Sequence, residues 1–284
     1  MGSADIVPGV SGGTVALVLG IYERLIAEIR LGASALRHII GRDPKGALST
    51  VRRIDWGWLG SLLLGILTAI AILSAVIERL LAEQPVRTAA VFSGLVVGSV
   101  VVAWRLIQHR TSAHIAVALG VGAGLFLLLG LRSDTHATGA EIVTQPWWIF
   151  TAAGALAICA MILPGISGSF ILVMIGMYTE VLGAVNDRNL AAVAATGIGC
   201  VIGLASFSTL LDWMLNHHHD MVIAAMVGLM IGSMRVLWPW PGGTETTRLS
   251  APSGDVTVPL LLAAAAFILV ITVDRVAQRR PAAT

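Results

Sequence analysis

An all-α integral membrane protein is what this chain predicts, folded as an inverted-topology repeat with a re-entrant helical hairpin and three transmembrane helices in each half. Three observations lead there. The segment PGVSGGTVALVLGIY at 8–22 returns as PGISGSFILVMIGMY at 164–178. At a constant offset of 156, Pro8, Gly9, Ser11, Gly12, Gly20 and Tyr22 fall on Pro164, Gly165, Ser167, Gly168, Gly176 and Tyr178. The hydrophobic fraction is 56%, only 12% of residues are charged, and mean hydropathy is +0.87, whereas a soluble domain carries about 25% charge. Finally, apolar segments interrupted by Gly and Pro at matching places in two halves point to a substrate site near the bilayer midplane.

The elements follow in order. The first repeat, 1–135, holds a hairpin at 1–30, a basic connection at 31–56, and spans at 57–81, 88–107 and 113–132. Its second arm is 15–30. Its first arm is nearly absent, since seven residues precede Pro8, and this predicts a first site less enclosed than the second. The second repeat, 147–284, holds a hairpin at 147–185 whose arms are 147–163 and 169–185, with PGISG at the bend. Spans at 191–215, 221–238 and 257–276 and a basic tail complete it. Each span is close to the roughly 20 apolar residues that a helical crossing needs. The duplication extends past the motif: Gly94–Ser99 matches Gly228–Ser233 at an offset of 134, Trp104 falls on Trp238, and Gly65 falls on Gly203 at an offset of 138.

Orientation follows from the excess of Lys and Arg that cytoplasmic loops carry. With 31–56 inside, eleven cations are cytoplasmic, including Arg30, Arg105, Arg110, Arg275, Arg279 and Arg280. Six are external: Arg79, Arg87, Arg132, Arg188, Arg235 and Arg248. Three spans per half is an odd number, so the second half enters the membrane upside down relative to the first. Trp56, Trp58, Trp104, Trp147, Trp148, Trp238 and Trp240 sit at span ends, as an aromatic belt requires. The pairs Gly94/Gly98 and Gly228/Gly232 suit close helix packing. Cys159 and Cys200 lie inside apolar runs and read as small hydrophobes. The N-terminus lacks the basic region of a cleavable leader, and a net charge of +2 gives no reason to expect nucleic acid.

The chemistry expected of the motifs is anion binding. Proline removes a backbone donor and glycine permits a bend, so each motif ends one helix and begins another. Ser11 and Ser167 are the candidate N-caps. The amides near Gly12, Gly13 and Thr14, and near Gly168 and Ser169, have no acceptor inside the new helix. Such a helix start attracts a phosphate or carboxylate; the competing reading is a kink used for packing alone. Tyr22 and Tyr178 are the only tyrosines and share one motif position, either for a structural hydrogen bond or for a contact to substrate. Asp5, Glu23 and Glu180 flank the hairpins as candidates for a coupling ion, proton or sodium, and Arg24 is a candidate headgroup contact; an interfacial role at the hairpin base competes for each. Arg235, near an outer span end, could attract an anion or extend to the interface. The run His217–Asp220 reads as a polar turn, since consecutive histidines do not converge on one metal. No HExxH, CxxC or Walker-type loop is present; neither an enzyme, a catalytic residue, a cofactor nor a metal is expected.

At these two motifs the chain resembles the polyprenyl-phosphate transporter family of PopT type. The matching residues are MGSADIVPGVSGGT and GIYERLI within 1–26, and AICAMILPGISGSFILVMIGMY at 157–178. The resemblance covers nearly the whole chain. It implies a multi-pass protein of the bacterial cytoplasmic membrane that returns undecaprenyl phosphate, the lipid carrier of cell-envelope glycan synthesis, from the outer to the inner leaflet. At motif level it carries over to Asp5, Pro8, Gly9, Ser11, Gly12, Gly13, Thr14 and Tyr22, and to Pro164, Gly165, Ser167, Gly168 and Tyr178. A transporter of a small soluble anion and a membrane lipid phosphatase are the alternative functions.

Overall fold

The computed structural model describes residues 1–5, 7, 10–130, 145–243 and 249–279, and among these all regular structure is helical. Pro8 and Gly9, the last two residues of the 113–132 span, and the cations Arg132, Arg248 and Arg280 lie outside the described residues. The first half comprises α1 (Gly2–Asp5), α2 (Gly12–Val18), α3 (Tyr22–Ile40), α4 (Pro44–Val51), α5 (Trp56–Glu83), α6 (Pro85–Leu106) and α7 (Ser112–Gly130). The second comprises α8 (Trp147–Ile162), α9 (Gly168–Met174), α10 (Tyr178–Asn186), α11 (Leu190–Ser233) and α12 (Thr257–Arg279). Helices α5, α6, α7, α11 and α12 are long and apolar enough to cross a membrane. The chain is a multi-pass membrane protein.

The expected arms 15–30 and 169–185 are not single helices. Helices α2 and α9 are both seven residues long and sit 156 residues apart. Each ends on a glycine with positive φ, Gly20 at +67° and Gly176 at +71°. In both, the glycine amide bonds back three residues, to Leu17 or Val173, and the next amide bonds back five, to Ala16 or Leu172. This is a Schellman termination, which glycine enters without a Cβ penalty. Tyr22 and Tyr178 then begin new helices, and α10 leaves α9 at 112°. The apolar pattern continued across both glycines, which hid the turn.

Two connections complete the path. The expected basic connection 31–56 is largely helical: α3 continues to Ile40, and Asp43 caps α4 by accepting the Gly46 amide at 2.9 Å. That amide, with His38 beside it, holds the Asp43 carboxyl below the usual carboxylate range. The polar turn expected at His217–Asp220 coincides with a break inside α11, where His218 leaves helical angles and separates two helices. At 1.5 Å per residue the two parts together run about 66 Å, twice the roughly 30 Å hydrocarbon layer. Helix α11 therefore supplies two crossings, divided by the kink at His218 (φ −137°, ψ 42°). Asn216 and His217 bond back to Asp212 and Trp213, closing the first part just before the break. Asp220 fixes the joint by accepting the amides of Gln108 (3.1 Å) and His109 (2.8 Å).

Glycines set the helix crossings. A Cβ on Gly94 would strike the Ala263 carbonyl, and one on Gly98 would lie 2.8 Å from Val270 Cβ, so α6 packs on α12. Gly228 and Gly232 bring the second part of α11 equally close to Ala118 and Leu125 of α7. Each half thus packs a helix against the other half. Gly154, Gly199 and Gly203 seat α8 against α11, whereas Gly65, the match of Gly203, has nothing within 4 Å. Trp56, Trp147 and Trp148 are exposed, but Trp240 is buried and donates to Ser253 O at 3.2 Å, so it is no belt residue. Ion pairs and close packing join the helix ends. Arg30 meets Asp212, Glu23 meets His219 and Arg105 faces Asp274 at one end; Arg87 meets Asp255, and Gly243 packs on Pro85, at the other.

Candidate functional site

The first tip is built from Asp5 and the start of α2. Ser11 is extended (φ −131°, ψ 146°) and caps the helix, its Oγ accepting the Gly13 amide at 3.0 Å. Asp5 Oδ1 accepts the Gly12 amide at 2.6 Å, and Ser11 O accepts the Thr14 amide at 2.9 Å. The expectation of amides open to a ligand is therefore corrected at this tip. The chain folds back so that its own carboxylate occupies the place where an anion is favoured. The space is tight, since a Cβ on Gly12 would lie 2.6 Å from Asp5 Oδ2 and one on Gly13 2.7 Å from Ile162 O.

The first tip is tied to the second break. Ser11 Oγ donates to Leu163 O at 3.1 Å, with Met161 O at 3.4 Å, and the Tyr22 hydroxyl donates to Ile162 O at 3.1 Å. Thr14 Oγ1 accepts the Gly165 amide at 3.0 Å. These carbonyls belong to the last turn of α8 and the residue after it, where a helix leaves its final acceptors unsatisfied. The sequence reading missed them as partners. That end effect, together with Pro164 just beyond, was the signal that could have found them.

At the second tip Ser167 stands in the N-cap position (φ −98°, ψ 139°) but makes no cap bond. Its hydroxyl instead pairs with that of Ser169 at 2.8 Å. Gly165 has φ +87°, and a Cβ there would lie 2.8 Å from Met230 Cα, so the bend rests directly on α11. Beside it is a space of about 10 Å³ lined by Leu125, Leu129, Gly165, Ser167, Phe170 and Ser233, room for about one water molecule. An apolar groove of about 220 Å³ runs past the first tip between α2, α6 and α12, with Thr14 on its wall.

The remaining candidates separate. Tyr22 is 2% exposed and Tyr178 40%, so the repeated tyrosine does not have one role in both halves. Arg24 pairs with Asp55 at 2.6 Å and lies 4.5 Å over the Trp58 ring. Glu23 bonds His219 Nε2 at 2.9 Å, and Glu180 is half-buried in the first turn of α10. Arg235 stacks over Phe126 at 4.8 Å. Pro164 is buried at the bend. Enclosure runs opposite to the expectation: Ser11 and Thr14 are 1% and 2% exposed, while Ser169 is exposed. Among the described residues no three His, Cys, Asp or Glu side chains gather to hold a metal ion.

A family model described as undecaprenyl phosphate translocase-like matches residues 1–254. The chain belongs to this family. A polyprenyl-phosphate transporter of Vibrio cholerae is 39% identical over 264 residues, covering 92% of this chain and 81% of that protein. One of Staphylococcus aureus is 30% identical over 250 residues, covering 84% and 83%. No solved structure matches. Members of the undecaprenyl phosphate translocase-like family and both relatives carry transport names, so this chain is a membrane transport protein and not an enzyme.

Proposed function

We propose that the chain transports undecaprenyl phosphate from the outer to the inner leaflet of the bacterial cytoplasmic membrane, returning the carrier for cell-envelope glycan synthesis. The observation that carries this reading is the meeting of the two breaks: Ser11, Thr14 and Tyr22 bond to Leu163, Gly165 and Ile162, residues more than 130 positions away. Irregular backbone at membrane depth survives only where protein or a wet cavity covers it, and here the two irregular segments cover each other. The headgroup is held between them, and the long tail stays in lipid along apolar grooves such as the one beside α2.

The roles of the two tips differ in this reading. Ser167, Gly168 and Ser169 provide the groups that engage the phosphate. Ser11, Gly12, Gly13 and Thr14 do so only after Asp5 has moved aside, which makes Asp5 the first candidate for a coupling proton or sodium ion, ahead of Glu23 and Glu180. The second tip's space of about 10 Å³ is too small for a phosphate, so the geometry represents an occluded state, and transport requires the bend to lift from Met230. The crossed packing of α6 on α12 and of α11 on α7 supports an inverted repeat with two alternately open states.

Reconstituted vesicles test this. Leaflet exposure of polyprenyl phosphate is followed in the full chain and in a Ser167→Ala/Ser169→Ala variant. Transport slows by about tenfold in the variant if the hydroxyl pair contributes a charge-assisted hydrogen bond to phosphate. An unchanged rate would remove the second tip as the site. Uptake of inorganic phosphate without lipid movement would favour the soluble-anion alternative.

A further inference from the structure

A further groove lies between α6, α7 and the second part of α11, which separates it from the second break. It encloses about 520 Å³, with aliphatic walls that include Val100, Leu119 and Ile231, and it carries Trp104, Arg105 and Arg110. Arg105 is in the last turn of α6 and Arg110 lies just before α7, so both guanidinium groups belong to the same end of the groove. Both residues are exposed. The Arg105 guanidinium faces Asp274 at 3.6 Å, too long for a tight hydrogen bond. Two cations above an aliphatic channel, with an indole beside them, match an anionic headgroup whose apolar tail runs along the helices.

We propose that this groove is a second docking station for a polyprenyl monophosphate, used when the lipid stands in the leaflet at the α6–α7 turn. Charge and tail number select this ligand over bilayer phospholipid. A phosphate monoester carries about −1.5 to −2 at neutral pH, its second pKa being near 6, and so competes with Asp274 for Arg105 while also drawing on Arg110; a bilayer phospholipid's phosphodiester carries a single negative charge and the lipid two tails. Arg binds phosphate through paired donors in a fixed plane. The station is one-sided, because Trp104 has a counterpart in Trp238 but Arg105 falls on Pro239 in the other half. It is also close to the second break, since Val227 and Ile231 line the groove while Met230, on another face of the same turn, supports Gly165. A lipid leaving the bend toward that leaflet would have one helix to pass. The choice of lipid rests on the transport reading given above.

The test uses the full chain in phosphatidylcholine nanodiscs with a polyprenyl monophosphate carrying a photoreactive group in its first isoprene units. Adducts are expected on peptides around 100–119 and 227–231, displaced by unlabelled polyprenyl phosphate and not by the same amount of phosphatidylglycerol. Arg105→Gln/Arg110→Gln lowers them by about tenfold or more, while adducts near 165–170 remain. Groove adducts that survive this variant, or that phosphatidylglycerol removes equally, would overturn the proposal. If both sets vanish in the glutamine variant, the Arg105→Lys/Arg110→Lys protein decides: groove adducts retained there support the station, and their loss overturns it. Groove adducts without tip adducts would sink the hairpin site alone, tip adducts alone would sink the station, and none at either would sink both.

Discussion

The two hairpin tips each place an extended serine before a seven-residue helix, with opposite states of satisfaction. At the first, Ser11 caps α2, Asp5 takes the Gly12 amide, and Thr14 and Tyr22 bond across to the second break. At the second, Ser167 leaves the cap unmade, pairs with Ser169, and adjoins a small closed space. The same motif therefore yields one tip consumed by internal bonds and one with hydroxyl groups in reserve. A duplicated sequence does not guarantee duplicated chemistry; the difference arises from what the surrounding chain supplies, here a carboxylate seven residues before Gly12.

The largest test of this contrast is at the glycines. Gly165→Ala forces a Cβ into Met230 at positive φ, and the combined strain and overpacking cost about 2–5 kcal/mol, read as a lowered thermal midpoint of the purified protein. Gly176→Ala meets nothing within 4 Å and costs about 1–2 kcal/mol for the left-handed conformation alone. Equal losses would mean that the Met230 contact does not constrain the bend. Next comes Thr14→Val, which keeps the shape and strands the Gly165 amide, at a cost of about 1–3 kcal/mol for an unpaired buried donor. Retained stability would show that the tips are not held together by this bond.

Ser11→Ala against Ser167→Ala is the sharpest paired comparison. The first removes a cap and the bond to Leu163 O and is expected to cost about 2 kcal/mol, while the second loses only the hydroxyl pair with Ser169, about 0.5–1 kcal/mol. Similar losses would mean that the second tip is capped after all. Smallest is the tyrosine pair. Tyr22→Phe removes a hydrogen bond to Ile162 worth about 0.5–1.5 kcal/mol, and Tyr178→Phe has no measurable effect on unfolding. A loss at Tyr178 and none at Tyr22 would reverse the assignment of which half is tied.

Much of this architecture was legible in the sequence because hydrocarbon imposes long apolar runs. The spans beginning at Trp56, Pro85, Ser112 and Thr257 lie where those runs lie, and Gly94/Gly98 and Gly228/Gly232 seat helices as small residues do. The His217–Asp220 stretch reads as a polar turn by composition, and the helix does break there, at His218. What escaped notice depends on single backbone angles or on polar groups at a surface. The turns at Gly20 and Gly176 fall inside unbroken apolar sequence. Asp5 was singled out for a headgroup or a coupling ion and not as a partner of the Gly12 amide, since no periodicity reveals a one-turn helix whose carboxylate reaches across a bend. The burial of Trp240 likewise depends on a carbonyl thirteen residues later.

The exchange of α6 and α7 between halves has a consequence for biogenesis. The glycine face of α6 at Gly94 and Gly98 finds its partner in α12, which is made only after α7 to α11. Until then a nascent chain holds that face against lipid or chaperone. Deleting α12 would therefore damage the N-terminal half it covers, and neither half could be expressed alone with its helix surfaces filled.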